Sequence, residues 1–573
     1  MNKRQIFNKL IAASLLTCFF AGAFPGYAKA AGSNLNQKVL YNKYIAKGIN
    51  YTEKQVVDHD NGKKNRLNIV TADLNDNDVK VIFSKAKDKE KKAATLTDQI
   101  QREIFKGNNV VAGINADFFN MGTGFSTGPQ ISNGAIISCH EHRSEENIYP
   151  VFGIDKNNKP FIDNIHFNGK LTVLNQSDDT IDIDNVNREG YENSLILNTT
   201  QLNELNKIDF SNYAENGALT VVKGIKPPIM LGEEYEGVVE SVGEGRSSVK
   251  IPEDGIVLAS HGEKAEWVKA HLKQGDKIKI KLDYDKKDIK DAIGVYTCLV
   301  KDGRVLSNDE MVQNGANKSM VLARKSRAAI GITKDNKVIA ITADAGNQGI
   351  SDGVTFAEMA QMLKDMGAVY AAALDGGGST QMNVKPCGEM DVKVVNSPSY
   401  GNQRALSNGI LFASNAKRTN KLGSLEVCDD ITIFKGSSYK FNLKGMDTNY
   451  NFVDLKDAPA KWELEGVSGT VDSKGQFTAG NASSGKVTAT LDGIKASANV
   501  NVIDSLSSLG IQGSSLNLKK GDKYEFALNA SNDSNVIISN SAAKWYVTGN
   551  IGTIDKNGCL TVNCEEGNGE VIA

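Results

Sequence analysis

The C-terminal part of the chain contains an internal repeat centred on a tryptophan, and this repeat restricts the folds open to that part. Trp462 is followed by the sequence GTVD at 469–472, and Trp545 is followed by GTID at 552–555. Each copy consists of short alternating apolar and polar runs, separated by Gly, Asn and Asp. Such runs are typical of small β-sandwiches. The repeat therefore predicts two homologous all-β modules.

The two modules resemble bacterial immunoglobulin-like domains, in which the tryptophan would lie between two sheets. The resemblance implies one immunoglobulin-like domain at 417–503 and a second at 504–573. The second copy stops at 569–573, which aligns with 485–489 of the first. We therefore expect the second domain to be incomplete.

The first 30 residues have the pattern of a secretory signal peptide. Three basic residues precede the apolar run 10–23, and Ala-Lys-Ala at 28–30 suits signal peptidase. We predict cleavage after about Ala30 and a secreted or cell-wall-associated protein; lipidation of Cys18 is the alternative. No later run approaches the roughly 20 apolar residues that cross a bilayer, so we expect no membrane span.

The charge and cysteine content exclude several classes of function. With 66 basic and 68 acidic residues the net charge is −2, so no overall field attracts nucleic acid, and no nucleic-acid partner is expected. The cysteines beyond residue 30 are widely and irregularly spaced, unlike a disulfide framework or a zinc ribbon. Cys559 and Cys564 are either a disulfide or two isolated thiols.

Residues 31–416 combine signals for strands and helices. The runs 67–72 and 79–83 predict strands, the polar run 85–92 predicts a solvated loop, and 97–106 predicts a helix.

The best-marked helix begins with a capping box formed by Thr355 and Glu358, and Gly367 suits the position after its end. The run 369–374 then predicts a buried strand. Strand, helix and strand in this order indicate an α+β (mixed α/β) domain over 31–416, followed by all-β immunoglobulin-like sandwich modules.

Asp375 comes directly after that predicted strand and begins the sequence Asp-Gly-Gly-Gly-Ser-Thr. Ligands often bind beyond the carboxyl ends of strands. Glycine N–H groups can approach an anion closely, and hydroxyl groups add donors. An ordinary turn is the alternative to an anion site. The predicted anion-binding turn comprises Gly376, Gly377, Gly378, Ser379 and Thr380.

A second acid and two arginines occupy comparable positions. Asn115 and Asp117 end an apolar strand, and Arg327 and Arg404 each begin an apolar run. Asp117 is a candidate general acid or base, or the cap of a turn. Arginine is suited to clamping phosphate because its planar fork donates paired hydrogen bonds, although a solvated charge is the common alternative for one surface arginine.

Together these segments resemble the phosphodiester glycosidase family, which includes the enzyme that uncovers mannose 6-phosphate by removing N-acetylglucosamine from a phosphodiester. The resemblance rests on segments 114–119, 327–331, 351–355, 373–379 and 404–411. The chain departs from the family at Cys298, where a Pro-Leu pair is usual before the turn 300–303, and at Ala345, where glycine often follows the acid.

The resemblance implies a hydrolase that releases a sugar, expected to be N-acetylglucosamine, from a sugar-1-phosphodiester on a phosphorylated glycan or cell-wall polymer. Breaking the sugar C1–O bond calls for two carboxyl groups, and which of the two acids is base or nucleophile stays open. No cofactor and no metal are expected. The catalytic candidates are Asp375, Asp117, Arg327 and Arg404, and the substrate-binding candidates are Asn115, Asn408, Asp344 and residues 376–380.

Two other interpretations compete with the hydrolase. A non-catalytic surface protein that binds phosphorylated glycan would use the same arginines but would need no carboxylate at C1. A role in processing exopolysaccharide or teichoic acid would make the substrate a polymer. The sequence His140-Glu141-His142 resembles a metal-binding pair, but it lies in a predicted loop and carries less weight.

Overall fold

The computed structural model describes residues 35–58, 62–140, 148–174, 178–208, 216–244, 248–346, 349–513, 515–531 and 536–573. The predicted signal peptide lies outside these residues, and so do Glu141 and His142. Within the described part of the chain, no helix is both long and apolar enough to cross a bilayer. The six cysteines in it, including Cys559 and Cys564, are free thiols, so the disulfide alternative for that pair is not formed.

The chain divides into two compact units. The first contains Tyr51–Asn383, Val394–Ala413 and the residues before Lys43, and the second contains Lys43–Asn50, Val384–Lys393 and Ser414–Ala573. The domain boundaries predicted after residues 416 and 503 stay predictions.

The prediction of an α+β domain is wrong, because strands dominate the first unit. Its helices are few and short; among the described residues of the chain the α-helices are Leu96–Phe105, Gly262–His271, Asn308–Gln313, Lys318–Leu322 and Phe356–Asp365. Short 3-10 helices occur at Ala86–Asp88, Gly377–Ser379 and, in the second unit, Asn540–Ala542.

Three sheets form the body of the first unit. The largest contains, in spatial order, Asn185–Val186, Leu195–Asn198, Gly255–His261, Gly217–Lys223, Glu234–Glu244, Lys277–Tyr284, Pro160–Val173, Ile148–Asp155, Ile289–Gly294, Gln130–Ser132 and Ala135–Ser138, with Thr180–Ile183 beside Pro160–Val173. The second contains Leu35–Ala46, Ile49–Asp58, Lys64–Asp73, Lys337–Ala343, Arg327–Thr333, Ala368–Ala373, Thr297–Lys301 and Arg304–Val305. The third contains Lys393–Val394, Met382–Val384, Val110–Asn115, Asn408–Ser414 and Val79–Lys85. Lys207–Ile208 pairs separately with Val249–Lys250.

The individual helix and strand predictions are largely correct, even though the fold class is not. The capping box is present, since the Thr355 hydroxyl accepts the Glu358 N–H and the Glu358 carboxylate accepts the Thr355 N–H. Gly367 follows the helix with φ of +91°, a conformation that glycine adopts without strain. The next strand, Ala368–Ala373, pairs antiparallel with its neighbour Arg327–Thr333. The error came from extending one strand–helix–strand passage to the whole domain.

The prediction of a solvated loop at 85–92 is wrong for two of its charged residues. Lys85 is 6% exposed and Glu90 is 0% exposed. They form a buried ion pair with Nζ and Oε2 2.6 Å apart. The sequence alone did not reveal this burial, because a charged residue that is paired in the interior cannot be distinguished from a solvated one by residue type.

The second unit is composed entirely of short strands and turns apart from one 3-10 turn, within the described residues. Its larger sheet contains Lys461–Glu465, Ser483–Leu491, Ile494–Ile503, Ile431–Phe434 and Val536–Ile537. The smaller sheets contain Leu422–Val427, Leu443–Asp447 and Phe452–Val453; Ser438–Lys440, Gln476–Ala479 and Gly469–Val471; Lys523–Glu525, Cys559–Val562 and Gly552–Ile554; Ser508–Ile511 and Leu528–Ser531; and Tyr546–Val547 and Val571–Ile572.

The sequence repeat is also a repeat of three-dimensional structure. Phe441 and Trp462 have ring centroids 6.3 Å apart at 33°, and Phe526 and Trp545 have centroids 6.4 Å apart at 34°. Each tryptophan packs partly buried against the apolar core of its own copy. Whether these copies are immunoglobulin-like domains stays a prediction.

The tryptophan of the first copy lies over a glycine turn, and this predicts a stability difference between two glycines. Gly475 and Gly493 have similar φ values of +81° and +79°, but a Cβ at Gly475 would lie 2.6 Å from Trp462 Cζ2, whereas a Cβ at Gly493 would meet nothing within 4 Å. Gly475→Ala should therefore lower the free energy of unfolding by about 1–3 kcal/mol more than Gly493→Ala does. Urea denaturation followed by tryptophan fluorescence measures both; equal losses would contradict the packing.

Candidate active site

The two predicted acids lie at the ends of strands from different sheets, and these ends meet. Asp117 follows Val110–Asn115, and Asp375 follows Ala368–Ala373. The Asp375 N–H donates to the Ala116 carbonyl over 2.8 Å. The strands that end at the two acids pair antiparallel with their neighbours in both sheets. The acids meet through backbone contact between two sheets.

The Asp375 carboxyl group is buried and holds its proton unusually tightly. Its residue is 8% exposed. Burial raises the pKa of Asp375 to about 7, against the Ser379 hydrogen bond that lowers it, and the negative charge of Asp117 adds to the rise. A carboxyl group of this pKa can give or take a proton near neutral pH.

Arg404 joins the same cluster through a hydroxyl group. Its Nη1 donates to Ser379 Oγ over 3.2 Å, and Ser379 is in turn hydrogen-bonded to the Asp375 carboxyl. A Cβ at Gly378 would lie 2.3 Å from Arg404 Nη2 and 2.5 Å from the Tyr400 ring. Position 378 must be glycine for the guanidinium group to lie this close to the turn.

The glycine turn itself presents fewer free donors than the sequence predicts. The Gly377 N–H donates to the Ser326 carbonyl over 2.8 Å, and the Gly376 N–H is hydrogen-bonded to Asp375. In this conformation neither is free for an anion. The Thr380 hydroxyl is buried and has no hydrogen-bond partner in the described part of the chain.

Asp117 is fixed on two sides. Its backbone N–H donates to Asn408 Oδ1 over 3.0 Å, and its Oδ2 accepts the Gly128 N–H. A Cβ at Gly294 would lie 2.7 Å from that same Oδ2, so the carboxylate fits between two backbones without side chains. The Asn408 Nδ2 group is buried and has no partner among the residues described, so it retains its hydrogen-bonding capacity.

Asn115 is placed to hold the turn. Its Nδ2 donates to the Asp375 carbonyl over 2.6 Å, and its Oδ1 accepts the Gln381 N–H over 3.0 Å. Both ends of the amide are used, so these contacts make it a positioning residue and lend no support to the predicted sugar contact.

Asp344 is likewise an internal anchor. Its residue is 0% exposed, and its two carboxylate oxygens accept from the Asn396 side chain and the Ser397 N–H. Asn396 also donates to the Thr380 carbonyl, so Asp344 acts on the turn from behind. The predicted substrate contact of Asp344 has no support in these contacts.

Arg327 is the candidate whose surroundings differ most from expectation. It is 2% exposed, its Nη2 donates to the Met320 and Ala323 carbonyls, and its guanidinium carbon lies 4.1 Å from the centroid of the Phe356 ring. Burial lowers its pKa to about 10, which leaves it charged at neutral pH. Arg327 thus anchors the chain around helix Lys318–Leu322, while its Nη1 and Cδ atoms lie near Gly376 in the turn.

Sequence reasoning missed several residues of the cluster. Gly294 and Tyr400, which contact Asp117 and Arg404, belong to no motif that stands out in the sequence. Gly128 lies in a glycine-rich stretch that indicates a loop but gives no sign that its N–H meets a carboxylate. No group of three or more metal-ligating side chains occurs within the described ranges.

Residues 234–413 match the family model for phosphodiester glycosidase. The resemblance predicted from the motifs is confirmed over this segment. The phosphodiester glycosidase segment includes Arg327, Asp375 and Arg404 but not Asn115 or Asp117. It supports a glycosidase-type hydrolase. None of the proteins with curated descriptions matches the chain.

Solved structures show similarity in fold. A hypothetical protein from Synechocystis has 18% identity and a TM-score of 0.52, over 64% of this chain and 62% of that one. A protein of Burkholderia pseudomallei named as exported has 14% identity and a TM-score of 0.53, over 66% of this chain and 96% of that one. The catalytic domain of zebrafish N-acetylglucosamine-1-phosphodiester alpha-N-acetylglucosaminidase has 14% identity over 67% of this chain and 85% of that one, with a TM-score of 0.33.

The raised pKa of Asp375 predicts how stability depends on pH. In the folded state this carboxyl binds its proton up to about pH 7, whereas the unfolded value is the ordinary 3.8. The folded protein therefore loses stability as pH rises from about 4 to 7. Asp375→Asn should remove that loss and make the protein more stable than wild type at pH 8, by roughly 1–4 kcal/mol.

Thermal unfolding at pH 4.5 and pH 8 measures this effect, where both values are chosen to bracket the window of about 4 to 7. The exposed Asp457→Asn is the matched control and should leave the difference between the two pH values unchanged. An Asp375→Asn protein with the pH dependence of wild type would show that the carboxyl titrates normally.

Proposed function

We propose that this protein hydrolyses a sugar-1-phosphodiester, releasing a sugar that we expect to be N-acetylglucosamine. The observation that carries the proposal is the buried cluster in which the proton-holding Asp375 meets Asp117 and Arg404. A glycosidase that cuts a phosphodiester-linked sugar needs an acid, a carboxylate and a cation within reach of one bond. The phosphodiester glycosidase match of residues 234–413 supports the same class of reaction.

Asp375 is the proposed general acid. Since its pKa is about 7, the carboxyl is largely protonated in mildly acidic solution and about half protonated at neutral pH. It gives this proton to the phosphate oxygen that leaves as the sugar C1–O bond breaks. Water then attacks C1 and gives up one proton to the Asp375 carboxylate, which restores the acid; the products are the free sugar and a phosphomonoester. The ordinary pKa of a carboxyl would leave no proton to give at this pH.

Asp117 is the proposed partner carboxylate. The Gly128 N–H donates to it, and the Lys85 ammonium group exerts an attractive charge interaction with it. Both contacts favour the ionised form. An ionised Asp117 stabilises the positive charge that develops at C1 while Asp375 keeps its proton, so two similar side chains take different roles because their environments differ.

Arg404 is the proposed phosphate clamp, with Asn408 Nδ2 and the Thr380 hydroxyl as donors that remain to be used. Arg404 is half-buried and its single described side-chain acceptor is Ser379. The rest of its fork can bind the phosphate oxygens. Arg327 is left out of this role because its fork is directed at backbone carbonyls.

The proposed place of action is outside the cell. The signal-peptide pattern of residues 1–30 supports secretion, and the Burkholderia protein of similar fold is named as exported. We propose a phosphorylated glycan or cell-wall polymer outside the cell as the substrate, with the two repeated modules as immunoglobulin-like spacers. Binding of such a glycan without turnover is the alternative, and the raised pKa of Asp375 favours catalysis over it.

The acid role is tested directly by turnover. Asp375→Asn should reduce release of N-acetylglucosamine from a synthetic N-acetylglucosamine-1-phosphodiester by at least about 100-fold, because general acid catalysis contributes on that scale. The wild-type rate should fall as pH rises through about 7, where the acid loses its proton. Colorimetric assay of released sugar measures both. Unchanged turnover in Asp375→Asn would refute the assignment, whereas tight binding with no turnover in the wild type would favour the binding protein.

Substitution of the two arginines should have different effects, on catalysis for Arg404 and on stability for Arg327. Arg404→Met should raise KM or lower kcat/KM by about 10-fold or more while the thermal midpoint stays close to wild type, because it removes a clamp at the surface of the site. Arg327→Met should lower the thermal midpoint first, because it leaves the Met320 and Ala323 carbonyls without their donor. Steady-state kinetics and thermal unfolding are compared; the opposite assignment of effects would exchange the two roles.

A further inference from the structure

A buried ion network lies outside the cluster just described. It consists of Lys85, Glu90 and Arg188, which we call the Lys85 network; they are 6%, 0% and 6% exposed. Glu90 Oε2 forms an ion pair with Lys85 Nζ over 2.6 Å, and Glu90 Oε1 accepts from Arg188 Nη1 over 2.8 Å. Burying three charges is costly, and apolar residues often stabilise a fold as well or better. The network therefore calls for an explanation other than stability.

The network holds the loop 126–128 by its backbone. Arg188 donates to the carbonyl oxygens of Ser126 over 2.5 Å and of Gly128 over 2.8 Å. Glu90 accepts both the backbone N–H and the hydroxyl of Ser126, each over 2.9 Å. A planar fork and a carboxylate together fix the loop more closely than a single contact could. Gly128, the end of this loop, gives its N–H to Asp117.

The network also reaches Asp117 from a second direction. Lys85 Nζ donates to Ser407 Oγ over 3.0 Å. The next residue, Asn408, accepts the backbone N–H of Asp117 over 3.0 Å. The network therefore contacts Gly128 directly through Arg188 and reaches Asn408 from Lys85 through the neighbouring Ser407.

The charges of the network suit an ionised neighbour. Burial alone would raise the pKa of Glu90. The positive charges of Arg188 and Lys85 outweigh this effect and lower the pKa to about 2, so Glu90 is ionised. Burial lowers the pKa of Lys85, and the charges of Glu90 and Asp117 oppose this change. With Lys85 and Arg188 charged, two cations and one anion leave one excess positive charge. Lys85 has an attractive interaction with Asp117, which lies near the second acid, Asp375.

From these contacts we infer that the Lys85 network is a positioning device for Asp117. It sets the loop 126–128 and the start of strand Asn408–Ser414 against that carboxylate and supplies a compensating positive charge. The catalytic part of this inference rests on the proposed function; the positional part does not. The three residues touch no substrate and act through Gly128 and Asn408.

The test compares variants that break the network in different ways. Lys85→Met with Glu90→Gln removes both ion pairs of Glu90, with Lys85 and with Arg188, and keeps Arg188 charged. Arg188→Lys keeps the charge but loses the fork. Ser126→Ala with Ser407→Ala is the milder form and keeps all three charges, in case the others fail to fold. Leu258→Ala, a buried core change in the same 12-stranded sheet that contains Gln130–Ser132, is the control for lost stability alone.

We expect kcat to fall by about 10- to 100-fold in the network variants, with KM within about 2-fold of wild type. This result is expected when a residue that positions a catalytic group, but does not bind substrate, is lost. The Leu258→Ala protein should keep the wild-type kcat below its unfolding temperature. Crystal structures of wild type and variants should show the Gly128–Asp117 hydrogen bond broken or lengthened only in the network variants.

The outcomes separate this inference from the proposed function. Wild-type turnover with unchanged kcat in the network variants would overturn the inference and leave the function intact. Absence of wild-type turnover would remove the proposed function, and the crystal structures would then decide alone: an unmoved Asp117 and an intact Gly128 contact in the network variants would overturn the positioning role.

Discussion

The structure of the site depends on two carboxyl groups brought together where little water reaches them. Burial and the negative charge of Asp117 raise the pKa of Asp375 to about 7, so the pair lowers its electrostatic cost by keeping one proton. A shared site of this kind is unfavourable unless the surrounding chain enforces it. The roles proposed for acid, carboxylate and arginine all follow from that single arrangement.

The surrounding chain enforces it with amides, glycines and buried charges. Asn115 holds the turn after Asp375, Asp344 and Asn396 support it from behind, and the loop 126–128 fixes Asp117. Most residues that a motif search selects as substrate contacts are therefore in the supporting layer. Few of the predicted residues remain available to contact a substrate, and Arg404 is the main cation among these. Strand ends from two antiparallel sheets provide the platform, as in sites built on rigid elements generally.

The sequence predicted local elements well and long-range arrangement poorly. The helix Phe356–Asp365 was predictable because its capping box and its apolar stripe are local sequence signals. The repeat around Trp462 and Trp545 was predictable because the same pattern occurs twice in the sequence. The α+β class was wrong because strand pairing depends on partners far along the chain. The burial of Lys85 and Glu90, and the contact of Gly294 with Asp117, left no signal in composition or spacing.

Asp375, close to Asp117, keeps its proton until the pH approaches about 7, and the roles proposed for the site depend on this. Infrared difference spectroscopy of the aspartate-labelled protein, taken across a pH titration with Asp375→Asn as the reference, measures this without any substrate. The account predicts a carboxylic-acid C=O band that belongs to Asp375 and disappears with a midpoint near pH 7. If the band disappears with a midpoint near pH 4, which is the ordinary pKa of an aspartate carboxyl, the result would contradict a raised pKa for Asp375.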